Sequence, residues 1–141
     1  MISVESWPAP AVRLWTLAQR FQKFVVVGAV GLAVNQGVLW FLHESSGMNL
    51  VAASPIAIMV SMVVTFFCNE MWTWHDRGTG RISSRAMSYV PINFGGLVLN
   101  WGALYVLTEN TGMHWFAANL IGAGIAAIWN FTLNNMITWR A

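Results

Sequence analysis

Four apolar stretches, each long enough to cross a membrane, govern what this chain can fold into. They cover residues 24–42, 50–74, 89–107 and 115–139, and a helix of about 20 mainly apolar residues spans the hydrocarbon layer. The breaks fall where turn chemistry collects: His43-Glu44-Ser45-Ser46-Gly47, Asp76-Arg77-Gly78-Thr79-Gly80 and Glu109-Asn110-Thr111-Gly112. The second and fourth stretches are longer than needed, which permits tilt or extension past the headgroups. Composition agrees. Of 141 residues, 57% are apolar and only 9% are charged, against about 25% charged in a soluble domain. Five acids and seven bases cannot cover a water-facing surface. These figures exclude a disordered chain, a nucleic-acid binder and a soluble enzyme. The expected fold class is an all-α integral membrane protein.

The single cysteine, Cys68, offers no disulfide, and His43, His75 and His114 are scattered without metal-ligand spacing. No phosphate-cradling loop and no acid pair within a span is visible. No metal, cofactor or enzymatic activity is expected.

The bases set the orientation. Arg13, Arg20 and Lys23 precede the first span, Arg77, Arg81 and Arg85 lie between the second and third, and Arg140 follows the fourth. The other two loops hold none. By the positive-inside bias both termini and the central loop are cytoplasmic. Such bases attract an anionic leaflet at about 1 kcal/mol each; the alternative is that some of them grip a phosphate. The basic flank and apolar stretch at the start have the general shape of a signal peptide, but the stretch is long for one and is echoed later in the chain, so it is read as retained. Residues 1–23 form a cytoplasmic or interfacial segment, either a helix lying along the membrane surface or an extension of the first span. Residues 24–141 form the four-helix membrane domain.

Shifting the chain by 65 residues superimposes 24–74 on 89–139 without a gap, with 18 of the 51 positions identical. Gly31/Gly96, Asn35/Asn100, Gly47/Gly112, Phe66/Phe131, Asn69/Asn134, Thr73/Thr138 and Trp74/Trp139 are among the pairs. Each unit holds two spans, so both enter from the same side. The expectation is two parallel repeats, 24–74 and 89–139, joined by a cytoplasmic loop at 75–88.

Polar groups inside the spans carry the rest. Asn35 and Asn100 sit near span centres, where an unpartnered carboxamide costs several kcal/mol; each faces another helix or a wet path. At four-residue spacing the second span reads Ala53, Ala57, Ser61, Thr65, Asn69, Thr73, and the fourth reads Ala118, Gly122, Ala126, Asn130, Asn134, Thr138. The outer halves of these stripes are packing surfaces. Their inner halves are either packing or a polar furrow open to the cytoplasm. Glu70, paired by the offset with Asn135, is the one acid inside a span; it forms an interfacial ion pair with Arg77 or another loop arginine, or serves as a coupling or sugar-binding carboxylate. Trp40, Trp72, Trp74, Trp115 and Trp139 fall near span ends, where an aromatic belt is expected. Trp101 and Trp129 lie deeper, against helices or along a path.

The closing segments Thr65-Phe66-Phe67-Cys68-Asn69-Glu70-Met71-Trp72-Thr73-Trp74 and Asn130-Phe131-Thr132-Leu133-Asn134-Asn135-Met136-Ile137-Thr138-Trp139-Arg140 resemble the signature of the GtrA-like membrane proteins, over about residues 20–140. Thr65 stands where that family usually has Asn, the tryptophans replace a closing Phe, and Glu70 and Asn135 occupy positions where Lys or Arg is common. If that cation meets a lipid phosphate, this chain must borrow one from Arg77, Arg85 or Arg140.

The resemblance implies translocation of a polyprenyl-phosphate-linked monosaccharide across a prokaryotic cytoplasmic membrane, for cell-surface polysaccharide synthesis. It also implies a membrane glycosyltransferase as a partner. On that expectation Arg77, Arg85 and Arg140 meet the phosphate. A furrow of Asn35, Asn100, Thr65, Asn69, Glu70, Thr73, Asn130, Asn134, Asn135 and Thr138 passes the sugar, and membrane lipid holds the tail. Four helices enclose little volume, so a homodimer suits the chain. The rival readings are a non-catalytic anchor or recruiter of a glycosyltransferase, and a small proton-coupled exporter.

Overall fold

The computed structural model describes residues 3–78 and 80–140, apart from the side chains of residues 50, 115 and 116. The described residues form four long helices: α1 (Ala9–Trp40), α2 (Leu50–Cys68), α3 (Ile82–Thr111) and α4 (Trp115–Leu133). α1, α2 and α4 each continue into a widened turn, at Phe41–Ser45, Asn69–Thr73 and Asn134–Thr138. All four are long and apolar enough to cross a membrane. Many large apolar side chains point outward, Val51, Met87, Val98 and Leu32 among them. In water that would be an aggregation surface; against lipid it is the ordinary exterior.

Local chemistry explains the ends. α1 starts after Pro8 with a second proline in its first turn, where a missing N–H costs nothing. Asn49 caps α2 by accepting from the Val51 N–H at 2.8 Å. α3 closes on Gly112 in the left-handed region, φ 67°, a conformation that glycine adopts without a steric penalty.

The chain divides into two compact units, residues up to His75 and from Asp76 onward. In the first, α1 packs along α2 around Phe24, Val27, Ala53, Ala57, Phe66 and Trp74. Ser61 donates to the Gly31 carbonyl at 2.7 Å, and a Cβ at Gly31 would collide with the Thr65 methyl group. In the second, α3 packs along α4 around Tyr89, Ile92, Ala118, Ala126, Phe131 and Trp139. The indole N–H of Trp129 donates to the Ile92 carbonyl at 2.9 Å and its ring lies over Gly95.

One boundary and two side chains differ from expectation. α3 begins at Ile82, inside the stretch 75–88 expected as loop, because hydropathy measures membrane thickness and a helix can run on beyond it. α1 runs unbroken from Ala9 through residues 9–23 into the first span, the extension that was one of the two forms expected for that segment. Trp74 and Trp139, expected in an aromatic belt, are fully buried. Both leave the helix after a widened turn, with φ near −120°, and fold back onto the neighbouring helix. The side chain of Trp115 lies outside the described residues.

Candidate functional site

The polar residues of each unit gather at the end of α2 or α4. At both ends the helix widens so that an N–H reaches back five residues. Trp74 N donates to the Asn69 carbonyl and Trp139 N to the Asn134 carbonyl, each at 2.8 Å. Such single wide turns occur frequently at functional sites. The side chains tie the same residues. Thr73 Oγ1 donates to Asn69 Oδ1 at 2.8 Å, and Thr138 Oγ1 donates to Asn134 Oδ1 at 2.7 Å. All four are buried. Edge-on rings close the base, Phe24 against Trp74 at 5.8 Å and Tyr89 against Trp139 at 5.7 Å.

A helix C-terminus presents unpaired carbonyls and partial negative charge, and arginine answers both. In the first unit buried Arg20 donates from Nη1 to the Thr73 carbonyl at 3.0 Å. In the second, half-buried Arg77 donates from Nη1 to Asn135 Oδ1 at 2.8 Å and to the Trp139 carbonyl at 3.2 Å. Arg85 is buried on α3 and its Nη1 is 3.4 Å from the Gly80 carbonyl. Arg140 is exposed.

Halfway along each hairpin a second polar layer appears. In the second unit Asn130 lies over Gly96, and Asn100 lies over Gly122. Asn100 Oδ1, Asn130 Oδ1 and, nearer the end, Asn134 Nδ2 are buried without a hydrogen-bond partner. In the first unit Thr65 takes the place of Asn130, and its hydroxyl donates to the Met62 carbonyl at 3.1 Å. Asn35 is half-buried on α1.

Of the ten residues expected along a furrow, Asn69, Thr73, Asn134 and Thr138 are therefore enclosed within their own helix ends. Asn35, Thr65, Glu70, Asn100, Asn130 and Asn135 remain half-buried. The phosphate candidates also separate. Arg77 is drawn onto Asn135, the position where the resemblance expects a cation, whereas Arg85 is enclosed and Arg140 stands in the open. Sequence reasoning passed over Arg20. Its signal was present, since Arg20 and Arg85 are 65 residues apart and lie just ahead of the aligned block. Trp129 is 39% exposed although its indole N–H is held by the Ile92 carbonyl, and Trp101, more exposed still, stacks on Tyr105 at 5.9 Å. Among the described residues no three His, Cys, Asp or Glu side chains gather into a metal-binding group.

Fold and composition together define an all-helical membrane protein with four candidate spans, polar at one end of each hairpin. Residues 23–139 match the GtrA/DPMS transmembrane domain, and the chain belongs to that family. It is also 32% identical over 120 residues to a dolichol-phosphate mannosyltransferase of Pyrococcus furiosus. That match takes in 85% of this chain and 34% of the relative, so the chain spans about a third of the relative's length.

Proposed function

We propose that this chain carries the head group of a polyprenyl-phosphate-linked sugar across the cytoplasmic membrane of a prokaryote, while the prenyl tail stays in lipid. The observation that carries this reading is the set of unpartnered carboxamide atoms at Asn100, Asn130 and Asn134, in a unit whose end holds the Arg77 guanidinium. A buried unpaired amide atom costs about 1–3 kcal/mol, and sugar hydroxyls, which both donate and accept, relieve that cost as the α3–α4 seam admits them. Arg77 meets the phosphate through charge-assisted, forked hydrogen bonds; exposed Arg140 follows Trp139, whose carbonyl Arg77 also reaches. Family membership and the relative named for dolichol phosphate and mannose support the ligand class.

The same reading takes the chain as two parallel repeats with both termini and the central connection cytoplasmic, and it takes a homodimer as the working unit. The seven bases in those segments support the orientation. Matching helix-end ties at Asn69/Thr73 and Asn134/Thr138 support the repeats. In proteoliposomes containing this chain alone, Asn100→Leu with Asn130→Leu abolishes transfer of the lipid-linked sugar while helix content is retained; transfer at the wild-type rate contradicts the reading.

One observation favours a second reading. The relative is a transferase, and this chain matches about a third of it. On that reading the chain is a membrane anchor that positions a glycosyltransferase and moves nothing.

A further inference from the structure

The first unit contains a groove that neither the helix-end ties nor the carboxamide layer uses. Gln19, Gln22, Lys23 and Val26 line it from α1, and Trp72 lines it from the widened turn after α2. The α1 residues fall at i, i+3, i+4 and i+7, one face of a helix. The groove holds about 340 Å³, near the small end of ligand clefts, enough for a phosphate and one sugar-sized group.

Its chemistry is specific. The Lys23 ammonium sits over the Trp72 ring, 5.7 Å from the centroid. Two carboxamides on the same face, Gln19 and Gln22, both exposed, can donate to and accept from hydroxyls. Trp72 is 44% exposed, so ring surface remains for the C–H face of a sugar. Buried Arg20 holds the adjoining Thr73 carbonyl, which fixes the turn carrying Trp72 against α1.

The second unit supplies an internal contrast. The positions 65 residues on are Ser84, Met87, Ser88, Pro91 and Ile137. They offer no cation, no carboxamide and no aromatic ring, so the groove's chemistry belongs to one hairpin only and is not a by-product of the shared pattern.

We infer that the Gln19–Gln22–Lys23–Trp72 groove is a docking site for the phosphate and first sugar of a lipid-borne phosphosugar, a station separate from Arg77. Lys23 takes the phosphate, the glutamines take the hydroxyls and Trp72 stacks on the sugar. This rests on the ligand class proposed above, not on translocation itself.

The test is equilibrium binding of radiolabelled farnesyl-phosphate-mannose to the full chain in nanodiscs. Lys23→Gln weakens binding about tenfold, the loss of one charge-assisted contact. Trp72→Leu weakens it by a similar factor but leaves farnesyl phosphate, which has no sugar, within about twofold of wild type. Arg13→Gln, an exposed base on the same helix, changes neither. Binding within about twofold of wild type in both Lys23→Gln and Trp72→Leu overturns the proposal. So does full competition by inorganic phosphate, which would make this a free-phosphate site, or by phosphatidylglycerol, which would make it a general anionic-lipid contact. The two readings separate cleanly. Binding that depends on Lys23 in a chain that transfers no lipid keeps the groove and removes translocation; intact transfer with indifferent variants removes the groove alone.

Discussion

Asn130 on α4 seats its carboxamide directly over Gly96 on α3, so closely that a Cβ at position 96 would overlap Asn130 Oδ1. The same register in the first unit sets the Thr65 methyl over Gly31. In each hairpin a glycine on one helix makes room for a polar side chain on the other.

That geometry separates three glycines of similar appearance. Gly31→Ala and Gly96→Ala force the facing side chain or the helix to move, an overpacking cost of about 1–3 kcal/mol each. A Cβ at Gly28 meets nothing within 4 Å, so Gly28→Ala is neutral or slightly stabilising through helix propensity. Thermal unfolding in detergent, followed by circular dichroism, ranks the three.

Arg20 is predicted to hold the end of α2. Arg20→Met removes a buried charge-assisted bond to the Thr73 carbonyl and lowers stability by about 1.5–3 kcal/mol, with lost protection of the closing turn in hydrogen exchange. Protection of residues 69–74 unchanged from wild type would contradict this.

The hydroxyl ties have a graded outcome. Thr73→Val and Thr138→Val preserve shape but leave a buried amide oxygen unsatisfied, at about 1–3 kcal/mol. Thr138→Val is the costlier of the two, because Asn134 Nδ2 already lacks a partner and the change strips the side chain of its tie. Urea or thermal midpoints of the two variants, measured side by side, check the order.

Arg77 is half-buried, so its removal affects stability modestly through solvent screening and function strongly. Arg77→Gln lowers transfer of the lipid-linked sugar at least about tenfold with little change in melting temperature. Arg77→Lys keeps charge but loses the planar fork that reaches both Asn135 and Trp139, and it recovers only part of the rate.

The four helices were legible in the sequence because lipid leaves apolar length as a direct signal. Their true starts were not: Ser83, Ser84 and Arg85 look like loop, yet they belong to α3 once helix is no longer equated with membrane thickness. The polar stripe was visible, but its burial was not. A widened turn changes which face residues 69–74 and 134–139 present, and no local pattern announces it. Trp74 and Trp139 thus turned from belt to core, and four candidate furrow residues became ties. The contact of Arg77 with Asn135 has no local sequence signal, while Arg20 required extending the 65-residue comparison a few places further.

Side-resolved transfer in vesicles containing this chain alone tests the central claim most directly. A polyprenyl-phosphate monosaccharide placed in one leaflet should appear in the other at a rate that rises with the amount of protein and falls in Asn100→Leu/Asn130→Leu. A rate equal to that of protein-free vesicles, with a glycosyltransferase still drawn to the membrane by the chain, would contradict translocation and leave the anchor in its place.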